Sequence, residues 1–257
     1  EDVISDWWVQ GESLGPEPLG FSPTITSEIA SLPEVEDVLA MQYSNEGLRT
    51  VEDSQVKRIY SADLSSVPNY FNIGLEKSDS SLLGDNALYI HEDEASKYEL
   101  GIGSFISVEF MDQSQMDLVV AGIFSSKSVI DSGWLLDSSV YSSNMNLAPQ
   151  TDDFVGVLIK DGIGEDQART ALESVLVDYE QVRAQTKEEV KDEAENQINQ
   201  TVTIVSVLLF ISVVLAVLGV AITLALSVFE RTKEIGLTRA VGATRKQIKR
   251  MIRVEGI

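Results

Sequence analysis

The chain has 257 residues, a formal net charge of −22, no cysteine and one histidine. Without cysteine there are no disulfides or thiolate metal sites, and a single histidine argues against a histidine-based metal site or catalytic dyad. The acidic balance argues against nucleic acid as a partner, because phosphate binding needs a basic surface. We therefore predict no catalytic residue, no bound metal and no cofactor.

The first 150 residues alternate short apolar segments with turn residues, which predicts a mixed α+β domain. A first helix is predicted from Thr24 or Thr26 to Leu32, with Pro33 ending it. Pro68–Gly84 reads as a loop with one short apolar element. The predicted strands are Val35–Tyr43, a hairpin pair within Arg49–Asp63, Ala87–Ile90, Ser104–Phe110, Met116–Phe124 and Trp134–Asp137. Two further helices are predicted over Asp93–Leu100 and Ser138–Met145.

Three local features in this part have no catalytic interpretation. The adjacent Trp7 and Trp8 are typical either of a membrane-interface belt or of the core of a first strand. His91 is predicted to be a solvated residue at a helix start. The Gly101-Ile102-Gly103 triplet lacks the third glycine of a dinucleotide-binding loop, so a helix-to-strand turn is favoured.

The predicted domain ends with a strand over Phe154–Lys160, a helix over Glu165–Val177 and a strand over Tyr179–Ala184. Residues 29–38 resemble residues 172–182 with one residue inserted, so a helix–strand unit is used twice, unless the short match arises by chance. The two copies pair in one α+β subdomain if the repeat is real. We expect residues 1–186 to form one core domain, with residues 66–150 as a β-rich subdomain inserted between the copies.

An uncharged stretch of 29 residues runs from Thr201 to Phe229. As a helix it is about 43 Å long at roughly 1.5 Å per residue, longer than a hydrocarbon core of about 30 Å. A membrane span over residues 201–229 is therefore predicted, because soluble core helices are rarely apolar on every face for this length. The acid-rich residues 187–200 contain no Gly or Pro and predict a solvated stalk helix continuous with the span.

Small residues recur along one stripe of the predicted span at steps of three or four. They favour close packing on another helix, although ordinary membrane composition produces similar patterns. These candidate helix-packing residues are Ser212, Ala216, Gly219, Thr223 and Ser227.

The charges that flank the span are asymmetric. Residues 230–257 contain 8 Lys/Arg and 3 Asp/Glu, whereas residues 1–200 contain 11 Lys/Arg and 38 Asp/Glu. Positive residues close to a span mark its cytoplasmic side. We therefore expect residues 1–200 to be extracytoplasmic and residues 230–257 to be cytoplasmic. Since residue 1 is Glu and no signal peptide precedes it, upstream sequence is expected to be missing.

The basic tail predicts two helical pieces separated by a turn. The first continues the span to about Ala240, Gly242 permits a break, and Thr244 with Gln247 forms a capping box for the second. The second helix has Arg245, Lys249 and Arg253 on one face and Ile248, Met251 and Ile252 on another. Composition alone leaves two interpretations open, an anchor on anionic lipid and a docking element for a cytoplasmic partner.

The order of residues in the tail resembles the cytoplasmic signature of FtsX/MacB-like ABC transporter permeases. The resemblance is carried by Glu230-Arg231, Glu234-Ile235-Gly236 and Arg239-Ala240-Val241-Gly242-Ala243. Segments 32–35, 95–103 and 119–124 resemble the MacB-like periplasmic core domain of that family in the same order. By this resemblance the residues that couple to an ATPase are Glu230, Arg231, Glu234, Ile235, Gly236, Arg239, Ala240, Gly242 and Ala243.

The resemblance implies a permease subunit, multi-pass in its full-length form, that pairs with a second permease subunit as a homodimer or heterodimer and with a separate ABC ATPase. ATP-driven movement would pass from residues 230–250 through the stalk to the ectodomain and act on a substrate at the outer side of the membrane. No Walker motif is present, so this chain is not expected to hydrolyse ATP. The alternative is a membrane-anchored sensor or adhesion protein, which leaves the tail signature unexplained.

Overall fold

The computed structural model describes residues 3–12, 19–126, 130, 133–144 and 151–255, in two compact units, Glu1–Asp192 and Glu193–Ile257. Among the described residues the strands are β1 Trp7–Gly11, β2 Val35–Thr50, β3 Val56–Ala62, β4 Leu75–Ser78, β5 Ala87–His91, β6 Phe105–Phe110, β7 Gln115–Phe124, β8 Trp134–Asp137, β9 Phe154–Ile159 and β10 Val182–Thr186. The helices are α1 Pro23–Ala30, α2 Val67–Tyr70, α3 Glu92–Lys97, α4 Ser138–Asn144, α5 Glu165–Leu176, α6 Lys187–Ala240 and α7 Arg245–Glu255. The predicted α+β fold followed by a long apolar helix is confirmed.

One layer of the first unit is an antiparallel sheet in the order β10–β1–β9–β2, covered by α1 and α5. Helix α1 places Ile25 and Ile29 on the sheet, and α5 adds Ala168, Leu172 and Leu176 at helical spacing. Helices α1 and α5 contact each other on this sheet, whereas the strands that follow them, β2 and β10, lie at opposite edges of the four-stranded layer with β1 and β9 between them.

Strand β2 also belongs to a closed circuit of six strands in the order β2–β3–β8–β5–β7–β6, and β6 pairs with β2 to close it. Strand β4 pairs with β7 outside this circuit. Closure leaves few free strand edges. Successive side chains of each strand point to opposite faces of the sheet. On β5, Leu88 and Ile90 face the core inside the circuit, whereas Ala87 and Tyr89 face a second core.

The second core lies between the circuit and the four-stranded layer. It contains aromatic side chains from distant parts of the chain, among them Trp8, Tyr60, Tyr70 and Phe71. Trp7 and Trp8 are 3% and 9% exposed on β1, so the strand-core interpretation of this pair is correct within the unit.

Several predicted boundaries are wrong, each because a tertiary or capping interaction overrides the local pattern. Helix α1 begins one residue before Thr24, at Pro23, since Ser22 caps it. Strand β2 runs to Thr50 instead of ending at Tyr43, because it pairs with β9, β3 and β6 in turn.

Two more corrections concern helix α3 and strand β10. Helix α3 ends at Lys97, and Glu99 has a φ of 53°, so the helix stops before the predicted Leu100. Strand β10 begins at Val182 and extends to Thr186, whereas the prediction placed it over Tyr179–Ala184.

His91 also departs from its prediction. It begins α3, as predicted, but it is 4% exposed and not solvated. Its Nδ1 accepts the N–H of Asp93 at 3.1 Å, and its Nε2 is 3.1 Å from the carbonyl oxygen of Ser125, so both ring nitrogens are used. The predicted helix over Ser138–Met145 appears as α4, and Met145 lies outside the described residues.

Candidate functional site: the two capped ends of helix α6

Helix α6 begins with a reciprocal pair of hydrogen bonds. The N–H of Glu189 donates to the Thr186 hydroxyl at 3.2 Å, and the N–H of Thr186 donates to a Glu189 carboxylate oxygen at 2.9 Å. This is a capping box, which satisfies two backbone N–H groups that a helix start would leave without partners. The Thr-x-x-Glu spacing is visible in the sequence, but it was not recognised as a cap because the preceding strand was predicted to end at Ala184 and not at Thr186.

The first turn of α6 is also fixed to the sheet of its own unit. The Arg169 guanidinium of α5 lies 3.0 Å from the Glu189 carboxylate and 4.6 Å from the centre of the Trp7 ring. The Thr186 N–H, together with Arg169, holds the pKa of Glu189 below its usual range. Val190, half-buried, packs against the core that contains Trp8 and Tyr60. The first turn of α6 is thus held within the first unit by an ion pair and by packing.

Within the described residues, one helix is long and apolar enough to cross a membrane, with a mean hydropathy of 3.0 over its most apolar window. It is α6, whose 54 residues include the uncharged segment 201–229. The side chains of that segment are exposed, as expected of a surface that faces lipid or other helices.

The predicted small-residue stripe, Ser212, Ala216, Gly219, Thr223 and Ser227, follows one line of α6, because steps of three and four return to the same helix face. The Ser212 hydroxyl donates to the Leu208 carbonyl and the Thr223 hydroxyl to the Gly219 carbonyl, each at 2.9 Å. These two hydroxyls are therefore satisfied within their own helix.

Helix α6 ends in a complete Schellman motif. The N–H of Ala243 donates to the Thr238 carbonyl at 3.2 Å, and the N–H of Gly242 donates to the Arg239 carbonyl at 3.1 Å. Gly242 has a φ of 105°, in a region that side chains with a Cβ rarely enter. This is the break that the sequence predicts at Gly242.

Helix α7 starts at Arg245, three residues after Gly242, with the predicted capping contact. The N–H and the hydroxyl of Thr244 both donate to Oε1 of Gln247, each at 2.9 Å. Ile248 on the first turn of α7 is 8% exposed. Ile235, Thr238 and Ala243 are half-buried. We call residues 237–248 the elbow.

The nine predicted coupling residues surround the end of α6 and do not form a single patch. Glu230 and Glu234 share one face, Arg231 and Ile235 the next, and Gly236 with Ala240 a third, since residues four apart are neighbours on a helix. Gly242 and Ala243 lie in the turn of the elbow, and Arg239 provides one of the Schellman carbonyls.

Sequence reasoning missed the most prominent side chain of the elbow. Val241, at the C-cap position immediately before Gly242, is 90% exposed, and Leu237 one turn earlier is 60% exposed. A residue at this position of a Schellman motif has no further turn of its own helix to cover it. The signal was present in the sequence as a β-branched apolar residue directly before the helix-ending glycine.

Comparison with known proteins gives two kinds of match. Residues 206–257 match the family described as FtsX-like permease C-terminal. The periplasmic region of MacB from Actinobacillus actinomycetemcomitans is similar in structure, with a TM-score of 0.57 and 13% sequence identity, over 76% of this chain and 94% of that chain. Comparison with curated protein sequences gives no match.

Two further solved structures are similar with lower scores. The extracellular domain of the noncanonic ABC-type transporter YknZ from Gram-positive bacteria has a TM-score of 0.48 and 13% identity, over 71% of this chain and 99% of that chain. A domain of a putative permease protein from Porphyromonas gingivalis has a TM-score of 0.44 and 18% identity, over 71% and 87% of the two chains.

The family matched by residues 206–257 is a family of transporter permeases, components embedded in the membrane. The fold ahead of that segment is the MacB periplasmic fold. Residues 206–257 therefore match the FtsX-like permease C-terminal family, and the preceding part of the chain has a fold similar to that of the periplasmic region of MacB.

Proposed function

We propose that the chain is the permease subunit of an ABC transporter and transmits movement from a cytoplasmic ATPase to its ectodomain, which acts on a substrate at the outer side of the membrane. The observation that carries the proposal is the continuity of α6. One helix of 54 residues joins a base fixed in the ectodomain to a capped elbow beyond the apolar segment.

A helix transmits displacement along its axis only while its backbone hydrogen bonds are unbroken. Helix α6 is about 81 Å long at roughly 1.5 Å per residue. Its two glycines, Gly219 and Gly236, lie inside the helix without ending it. The proposed division is an ectodomain over residues 1–186, a stalk over 187–200, a span over 201–229 and a coupling segment over 230–257.

The elbow provides the proposed docking element for the ATPase. Its turn is defined by backbone hydrogen bonds, so the exposed Val241 and the charged side chains at the end of α6 are presented in a fixed geometry. The positive charge around it, with 8 Lys/Arg against 3 Asp/Glu over residues 230–257, supports a cytoplasmic position. In the proposed assembly the small-residue stripe packs against a second permease subunit.

A broken stalk tests transmission directly. Replacing Asp192 and Glu193 by Gly-Pro costs about 4 kcal/mol of local helix stability, about 1 for Gly and about 3 for Pro. The apolar segment is untouched, so membrane insertion continues. In the complete transporter we expect ATP hydrolysis to persist while the outer-side activity falls. An Ala-Ala replacement at the same positions is the control, because it removes both charges and preserves the helix. Full activity in the Gly-Pro variant would refute mechanical transmission through α6.

The docking role of the elbow is tested separately. Glu234 is exposed on α6, and exposed ion pairs contribute about 0–1 kcal/mol, so Glu234→Lys leaves folding and insertion intact. We expect this variant to lose substrate-stimulated ATPase activity in the complex, or to fail to co-purify with the ATPase. Normal stimulation would place the docking surface elsewhere.

A further inference from the structure

A pocket of about 240 Å³ lies in the first unit, where β1, β2, β3 and β9 meet the first turn of α6. Its walls are largely aromatic and apolar and come from segments far apart in sequence. They include Trp8, Met41, Tyr60, Phe154 and Val190. At roughly 30 Å³ per water-sized group, the pocket has room for about eight such groups.

Most polar atoms at this pocket already have partners. The Trp8 indole N–H donates to Gln10 at 3.0 Å, and the Gln10 amide donates to Gln185 at 3.1 Å. The rings of Trp8 and Phe154, which contact each other with their centres 5.2 Å apart, form part of the apolar wall of the pocket.

Two polar groups lining the pocket are unused. Ser5 is 1% exposed, and its hydroxyl has no hydrogen-bond partner among the described residues. A buried polar atom without a partner costs free energy, which a ligand acceptor would recover. The ammonium of Lys187, half-buried on the first turn of α6, likewise has no ion pair within the part of the chain that the structure describes.

Both unused groups are hydrogen-bond donors, and a carboxylate is the acceptor that suits them. The positive end of the α6 dipole lies beside Lys187 and also favours a negatively charged ligand group. The ectodomain as a whole is strongly acidic, with 38 Asp/Glu against 11 Lys/Arg in residues 1–200, and it repels multiply charged anions. The pocket therefore favours a single negative charge on an apolar body.

We propose that this pocket binds a medium-chain monocarboxylate amphiphile of about eight carbons. The chain lies against Trp8, Met41 and Phe154, and the carboxylate accepts hydrogen bonds from Lys187 and Ser5. Because Lys187 and Val190 belong to the first turn of α6, the bound ligand contacts the base of the helix as well as the sheet. This site is separate from the elbow, and its binding can be measured without the ATPase.

The test uses the full chain in lipid nanodiscs and 8-bromooctanoate, whose bromine quenches nearby tryptophan. Trp7 and Trp8 line the pocket, and Trp134 lies in the other core. We expect saturable quenching of part of the fluorescence, with competition by octanoate. Lys187→Gln should weaken binding at least fivefold, because about 1 kcal/mol is the upper end for a fully exposed ion pair and Lys187 is half-buried. Lys191→Gln, one turn further along α6, should leave the Kd unchanged.

Two further measurements keep the proposal open to refutation. Val190→Phe places a larger side chain at the pocket wall and should abolish quenching while preserving the fold, checked by circular dichroism. Equal affinity for octyltrimethylammonium would overturn the anionic assignment, and an absence of saturable quenching would overturn the pocket itself. Quenching by nanodiscs of brominated-chain lipid, without free carboxylate, would show that a membrane lipid is the occupant and would also overturn the proposal.

Discussion

Asp153 lies beside the sheet of the first unit and is 7% exposed. Burial raises the pKa of its carboxyl to about 6, and the charge of Asp152 adds to the increase, although the N–H of Tyr43 donates to Asp153 at 2.7 Å and acts in the opposite direction. An ionised Asp153 is therefore held in the fold at a cost.

The cost and its pH range follow from linkage. The carboxyl has a reference pKa of 3.8, against about 6 in the fold. A difference of about 2 units corresponds to about 3 kcal/mol at roughly 1.36 kcal/mol per unit. Below about pH 3.8 both states are protonated and the cost is absent. As the pH rises, the unfolded chain ionises first, so stability falls until about pH 6, above which the full cost applies.

The Asp153→Asn variant removes the ionisation and keeps an acceptor oxygen for the Tyr43 N–H. We expect the free energy of unfolding to rise by up to about 3 kcal/mol at pH 7.5 and to change little at pH 4. Urea unfolding followed by tryptophan fluorescence measures this, because Trp7, Trp8 and Trp134 are all buried in the first unit. Asp161→Asn, at an exposed position, is the control. An equal gain at both pH values would refute the linkage argument.

Three more predictions concern the ends of α6 and its orientation. Gly242→Ala should destabilise the elbow by about 1–2 kcal/mol, because an alanine is strained at the φ of 105° of this position. Gly236→Ala is the control and should not destabilise the elbow, because a Cβ at Gly236 meets no neighbouring atom in the helix. Hydrogen exchange of the elbow amides measures both effects. Thr186→Val removes the hydroxyl of the first capping box and should lower the free energy of unfolding in urea by about 1 kcal/mol. An unchanged free energy of unfolding would mean that the box does not stabilise the domain. An impermeant thiol reagent should label Ser65→Cys and spare Thr244→Cys in intact cells, and the reverse pattern would invert the proposed orientation.

Features set by neighbouring residues could be predicted from the sequence. The uninterrupted helix from about Lys187 to about Ala240, the turn at Gly242 and the Thr244–Gln247 cap all depend on interactions within four or five residues. Strands β5, β7 and β8 were also located to within one residue, because their apolar runs are bounded by clear turn signals.

Features set by long-range contacts could not be predicted in the same way. The return of β6 to β2 joins Phe110 to Leu48, and no local pattern encodes that pairing. The burial of His91 depends on the carbonyl of Ser125, 34 residues away. The amphiphile pocket likewise requires side chains from five separated segments, so its residues have no common spacing in the sequence.

The two ends of α6 use the same kind of local motif but differ in what surrounds it. At the base, the Thr186–Glu189 box is reinforced by Arg169, by the Trp7 ring and by packing of Val190 in the core. At the elbow, the described support consists of the Schellman motif, the Thr244–Gln247 cap and the burial of Ile248. Capping motifs contribute about 1 kcal/mol each, so the described contacts hold the elbow less firmly than the base of α6 is held. If the proposed ATPase interface lies at the elbow, we expect a force applied there to change the backbone at Gly242 before it disturbs the contacts of Glu189 and Val190 at the base of α6.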